Sequence, residues 1–350
     1  MSWPRITTKA GGLLDMQMME QRHFTRSAMR ILIRGAILGL VSWGIYLTVS
    51  DAWAALSGET IPWQPDPVWL VVAAMFYLLG MLPMALFWHR SLLALGCHPR
   101  LFETLRAYCI GSLGKYVPGK AMVVVLRTRL LMSARTGGTA TTVSVFLETL
   151  TMMAVGAFLA LSIFLIWLND HIQQYPFLIP LAVALLIAAG LPTCPGIFKK
   201  IVLQLGTARI DGDMVNRLGG IRWALMRNGW ILMFLGWCCF AGSLWSIVRG
   251  IGLDHAISVA AWPYCVAAIT MAIVAGFLSL IPGGAGVREY LISVILGHFY
   301  FAAVLDLPFS EATALVVAVV LRLLWLAVEF GLALIFYVVG CFRRPIRSVE

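Results

Sequence analysis

Charge is the first thing in short supply in this chain. Only 12% of its 350 residues are Asp, Glu, Lys or Arg, and 61% are hydrophobic. An ordinary soluble domain is about 25% charged and about 45–50% apolar. A chain this apolar lacks the polar surface to cover a core in water. A soluble class is therefore excluded, and most side chains must face lipid or one another in a bilayer. Acidic residues are the scarcer kind, 16 against 26 Lys and Arg, for a formal net charge of +10. None of the seven cysteines forms a C-x-x-C pair, which argues against a disulfide framework or a zinc site. In apolar runs a free Cys acts as a small hydrophobe. The six His form no H-x-x-x-H pair, and no G-K-[ST] or G-x-S-x-G run occurs. The chain thus lacks the motifs of a zincin, a P-loop and a nucleophile elbow, and no cofactor is expected. Residues 1–30 are polar and basic without an apolar core, so they read as a cytoplasmic tail and not as a cleavable leader.

The positive charge is grouped. Of the 26 Lys and Arg, 23 fall in four blocks: Arg5 to Arg34, Arg90 to Arg135, Lys199 to Arg227, and Arg343 to Arg347. Only Arg249, Arg288 and Arg322 lie outside them. Blocks of this kind mark cytoplasmic loops beside anionic headgroups. No block forms a soluble basic module, so nucleic acid is not a partner.

Apolar runs at Ile31 to Ala52, Val68 to Trp88, Thr139 to Leu168, Phe177 to Phe198, Gly229 to Val248 and Ser310 to Val339 predict six full spans. Pro180, Pro192 and Pro195 predict kinks in the fourth. Lys199 to Arg227 reads as a polar cytoplasmic loop, and Ser310 as the N-cap of the last span. Six spans place both termini on the cytoplasmic side, in a single membrane domain over 31–342 followed by a tail over 343–350. Two further segments, near 101–133 and 256–303, are apolar but interrupted. They predict re-entrant helical hairpins, in an all-α membrane fold of about eight to ten helical segments.

The two interruptions resemble each other. Gly111-Ser-Leu, then Val117-Pro118-Gly119, then basic Arg127 and Arg129 match Gly276-Phe-Leu, then Ile281-Pro282-Gly283, then Arg288-Glu289. By the charge pattern they enter from opposite faces, the layout of an inverted repeat in a secondary transporter. Pro118 and Pro282 break the helices, while Gly119, Gly283, Gly284 and Gly286 allow unusual backbone. Broken backbone at membrane depth is tolerated where it lines a cavity. Helix N-termini after each break could hold an anion. With Lys115, Lys120, Arg127 and Arg288 nearby, they would make a positive chamber suited to a lipid headgroup phosphate.

Glu148, Glu289, Arg322 and Glu329 sit among apolar neighbours. Each costs about 2.5–3.5 kcal/mol at the centre of a membrane helix, so partners or a cavity are expected. These four read as gating or ion-pair residues. Asp211-Gly212-Asp213 is a D-x-D pattern, which most often is a turn.

G-S-L-G-K-Y-V-P-G-K from Gly111, S-V-F-L-E from Ser144 and I-P-G-G-A-G-V-R-E from Ile281 resemble the transmembrane region of lysylphosphatidylglycerol synthase/flippases and their stand-alone relatives. The resemblance spans about Val68 to Val339. It implies a flippase-like fold that moves a lipid between leaflets of the inner membrane. The chain ends soon after Arg347, so the soluble aminoacyl-transferase domain of the full synthases is expected to be missing. The reading is a flippase for an anionic phospholipid or a polyprenyl-phosphate-linked lipid, with membrane lipids as partners alongside a lipid-modifying or glycan-synthesis enzyme. Two other readings stay open on sequence: a membrane enzyme acting on a lipid carrier, and an accessory subunit of a synthase.

Overall fold

A computed structural model describes residues 66–116, 121–132, 136–168, 176–205, 212–252, 259–279, 284, 286–303, 305 and 307–342. The first span, both tails, Pro118, Gly119, Lys120, Asp211, Pro282 and Gly283 lie outside the described residues.

The described chain is helical throughout. It forms α1 (Val68–Ala94), α2 (Leu101–Ser112), α3 (Ala121–Leu131), α4 (Gly138–Ile166), α5 (Leu178–Gly190), α6 (Pro195–Leu205), α7 (Gly212–Leu218), α8 (Trp223–Gly250), α9 (Trp262–Leu278), α10 (Val287–Ile292) and α11 (Leu307–Phe342). A π-turn, Ser293–His298, prolongs α10. Among the described residues, five helical stretches are long and apolar enough to cross a membrane: Val68–Ala94, Gly138–Ile166, Trp223–Gly250, Val259–Leu278 and Phe309–Gly340. A sixth is available if the pair α5 and α6 counts as one span, bent by 80° at its break. Pro192 and Pro195 stand at that bend, since proline removes an amide donor and clashes with the preceding turn.

Val259–Leu278, in the segment read as a hairpin, is itself long and apolar enough to cross. Two expectations need correction. Lys199 to Arg227 is not simply loop, because α6 and α7 lie within it and α8 starts at Trp223. Phe198, Ile201, Val202 and Leu205 recur at helical spacing, and that stripe outweighs the charge content. Ser310 is no N-cap, because α11 begins at Leu307. Pro308 is favoured in a first helical turn, where its missing N–H would be unpaired anyway.

Helix α9 is the centre of the bundle. Every residue from Cys265 to Val274 is buried, as expected of a helix apolar all round. It packs on α4, α8 and α10. Small residues set the closest crossings. At the α1–α8 contact, a Cβ on Gly80 would lie 3.0 Å from the Gly236 carbonyl, and one on Gly236 3.1 Å from that of Gly80. Indole hydrogen bonds tie the helices further: Trp88 Nε1 donates to Ser144 Oγ (3.0 Å), Trp237 Nε1 to the Met152 carbonyl (3.0 Å), and Trp325 Nε1 to Ser243 Oγ (2.9 Å). Outward faces are apolar instead, with Val71, Met75, Leu79 and Leu82 exposed on α1 and Phe330, Leu334 and Ile335 on α11. Lipid is the solvent that suits those faces.

Both interruptions are helix–break–helix units whose arms pack together. Helix α2 packs on α3, and α9 on α10. Helix α11 contacts α2 as well as α10 and its π-turn, so one long helix touches both units.

Candidate functional site

In the first unit, α2 passes through a 3-10 turn, Leu113–Tyr116, before the break. Gly111 on α2 leaves room for the aliphatic stem of Arg127 on α3. A Cβ there would collide with that stem and sit 3.5 Å from the Arg127 amide nitrogen. Arg127 Nη1 then reaches Glu148 Oε2 on α4 at 2.8 Å. Its guanidinium carbon lies 4.1 Å from the Tyr108 ring centroid and 4.9 Å from that of Trp88. Tyr108 Oη donates to the other oxygen, Glu148 Oε1, at 3.4 Å. Arg127 is 4% and Glu148 2% exposed. Cation and carboxylate neutralise each other inside an aromatic clamp, while the buried Arg127 Nε, like that of Arg106, has no hydrogen-bond partner among the described residues.

The second set of charges is organised by α11. Lys115, in the 3-10 turn of the first unit, makes an ion pair with Glu329 Oε1 of α11. Tyr77 Oη of α1 donates to the same oxygen. The Tyr77 ring is fixed by stacking on Trp325, with centroids 4.3 Å apart. Arg322, two turns before Glu329 on α11, pairs with Glu289 Oε1 of α10. Glu289 Oε2 accepts the Gly286 amide at 2.7 Å. Arg322 and Glu329 therefore share a helix face but not a bond. Each reaches to a different broken unit, and the polarity of the two bonds is opposite.

Arg288 is left over. Among the described residues it pairs with no carboxylate, and its buried Nε has no hydrogen-bond partner. Its stem rests on glycine. A Cβ on Gly276 would lie 2.7 Å from Arg288 Cγ, and one on Gly284 2.7 Å from Nε. Gly284 has φ +67° and Gly286 φ +81°, conformations that few L-residues adopt. The side chain lines a cavity of about 30 Å³, together with Lys115, Tyr116, Glu289, Arg322 and Trp325. The apolar wall comes from α9, α10 and α11, through residues such as Ile273, Ile292 and Leu321. A space of that size holds about one or two waters.

The structure thus brings Lys115, Arg288, Glu289 and Arg322 to one cavity, with Glu329 bonded to Lys115 behind it. Arg127 and Glu148 form their own cluster and do not line the cavity. The α10 N-terminus is also less open than the sequence suggests, because Glu289 already occupies the Gly286 amide. Sequence reasoning missed Tyr77, Tyr108, Tyr116, Trp88 and Trp325. Inside apolar runs an aromatic that serves a carboxylate reads like any packing residue. Gly276 and Gly111 stood out as repeat positions, but not as seats for arginine stems.

Long apolar helices, lipid-suited outer faces and a charged interior define a multi-pass, all-helical membrane protein. The chain belongs to the lysylphosphatidylglycerol synthase transmembrane-region family, whose model matches residues 31–333, and that region is a membrane domain associated with lipid and flippase function. Comparison with curated proteins gives no match.

Proposed function

We propose that this protein is a flippase of the inner membrane, with both termini cytoplasmic, that moves an anionic, phosphate-bearing lipid between leaflets. The substrate is a phospholipid or a polyprenyl-phosphate-linked lipid. The single observation behind this is Arg288, a half-buried cation that pairs with no carboxylate among the described residues, at a cavity between two broken helical units. A buried charge without a partner is costly in a membrane, and such residues mark substrate pathways.

The two ion pairs on α11 supply the mechanism. At about 30 Å³ the cavity is too small for a phosphate, so a headgroup enters only when Lys115 parts from Glu329 or Arg322 from Glu289. The phosphate takes over the released cations and Arg288 as the carboxylates let go. Because each pair ties one unit to α11, breaking them frees the units to rock against that helix. Treating the units as re-entrant, inverted halves makes the movement an alternating access. A lipid-modifying or glycan-synthesis enzyme would supply the substrate.

The test is movement of a headgroup-labelled anionic phospholipid in reconstituted vesicles, followed by quenching of outer-leaflet label. Arg288→Ala should slow movement at least tenfold at equal reconstituted protein. Movement at the intact rate would refute the role of Arg288 and, with it, this mechanism.

A further inference from the structure

We propose that the seam between α2 and α11 is the route by which a lipid headgroup reaches the cavity, and that Arg106 is the first cation to hold its phosphate there. The proposal rests on the transport reading above and adds an entry site to it.

Arg106 stands on α2 with its guanidinium against the last turn of α11. A Cβ on Gly340 would lie 2.6 Å from Arg106 Nε and 2.7 Å from its guanidinium carbon, so any side chain there would push the guanidinium away. The buried Nε has no hydrogen-bond partner, and among the described residues Arg106 makes no ion pair. The acidic residue one turn earlier, Glu103, accepts the Arg100 amide at 2.9 Å instead. Arg127, in the same broken unit, has a similar seat on Gly111 but is neutralised by Glu148. From Arg106 the seam runs inward. Phe102 of α2 and Phe336 of α11 meet across it with ring centroids 5.7 Å apart. Farther along, Lys115 meets Glu329, and the Lys115 side chain is 29% exposed. Arg288 and Arg322 follow at the cavity. Along α11, Glu329 lies eleven residues from Gly340 and Arg322 seven more, roughly 16 Å and 10 Å at the rise of an α-helix. Cations therefore stand in order along one seam, the first without a described carboxylate and the next held by one that must release it. A phosphate meets a lower barrier along such a series than across apolar helix faces, where a charge is costly. Arginine's forked donors suit its oxygens. The acyl chains remain in lipid, against the exposed Leu334, Ile335 and Val338 of α11. A cation beside the end of a helix also suits its dipole, and the dependence of rate on lipid density separates that structural role from an entry site.

The experiment uses the full chain in phosphatidylcholine vesicles with headgroup-labelled phosphatidylglycerol at rising mole fraction, and reads the initial rate of movement. Arg106→Gln should slow movement at least fivefold at the lowest fraction, and the loss should shrink as the fraction rises. Arg106→Lys should restore the rate, and Gly340→Leu should reproduce the loss. A loss of the same proportion at every fraction is that of a structural cation and overturns the proposal, as does no loss at all. If Arg106→Gln does not fold, Gly340→Ala decides by the same two criteria. Binding is read separately, from the thermal unfolding midpoint in neutral detergent with dihexanoylphosphatidylglycerol. Arg106→Gln should need at least fivefold more of that lipid for equal stabilisation. If the intact chain moves no lipid but this weaker binding is seen, the transport reading fails while the phosphate site at Arg106 stands. Arg288-dependent movement, with Arg106→Gln as fast and as tightly bound as the intact chain, defeats this proposal alone. Inorganic phosphate that stabilises as strongly as the lipid assigns Arg106 to free phosphate and overturns the lipid headgroup as its source.

Discussion

Removing Glu148 strands Arg127, and the structure sets the size of the penalty. The two residues are 4% and 2% exposed, and their charged atoms are 2.8 Å apart. Breaking a buried pair by deleting one member costs about 3–5 kcal/mol, because the survivor remains as a buried charge. Trp88 and Tyr108 flank the guanidinium and offset part of this, since a desolvated cation–π contact is worth about 2 kcal/mol. A loss of about 2–3 kcal/mol is expected for Glu148→Leu, roughly a 30- to 150-fold change in the unfolding equilibrium. Replacing both partners with apolar residues of similar volume removes charge and partner together, and is often neutral. The double variant Arg127→Met/Glu148→Leu should therefore recover most of the loss. The assay is a double-mutant cycle by detergent-induced unfolding of the purified chain. Lipid movement should survive in the double variant, since this cluster stands apart from the cavity. Additive effects of the two single changes would show that the pair is not the unit described here, and the reasoning would fail.

Lys115→Glu should destabilise by placing two carboxylates together, and the swap Lys115→Glu/Glu329→Lys should regain at least half of the lost unfolding midpoint. No recovery would mean that this contact does not hold the first unit to α11. Gly276→Ala puts a methyl 2.7 Å from Arg288 Cγ and 2.9 Å from its Nε. It should lower the lipid-movement rate about as much as Arg288→Ala, while overpacking costs only about 1–3 kcal/mol of stability. A vesicle assay with intact-level movement for Gly276→Ala would show that the seat of Arg288 does not matter.

What the sequence carried well was local. Apolar runs marked α1, α4, α8 and α11 within a few residues, because lipid demands about 20 apolar residues in a row. The Pro-Gly runs fall in sequence between the 3-10 turn that ends at Tyr116 and α3, and between α9 and α10. The rarity of charge in spans singled out every acidic residue that the interior uses. The partners were another matter. Lys115 and Glu329 are 214 residues apart, and Tyr77 and Glu329 are 252 apart. Neither spacing nor periodicity connects residues on different helices, so which cation answered which carboxylate was unreadable. Arg322 and Glu329 show the hazard, since opposite charges seven residues apart on one helix each bond elsewhere. Amphipathic α6 was obscured for a simpler reason, because its Lys199 and Lys200 look like loop charge until the apolar stripe beneath them is counted.

Arg127 and Arg288 act as controls for each other. Both follow a break, and both lay their stems where a glycine of the preceding helix, Gly111 or Gly276, has no side chain. In the first unit the guanidinium is met by a carboxylate and two aromatic rings. This is how the fold treats an arginine whose task is to hold helices together. In the second, the carboxylate next in sequence turns away to Arg322 and the Gly286 amide, and Arg288 faces a cavity. The fold has the means to neutralise an interior arginine with a carboxylate, and among the described residues it does not use them at Arg288. A departure of that kind from local consistency is expected at a functional site and not at a packing one. Under the proposed function, the missing counter-charge is the ligand's to bring.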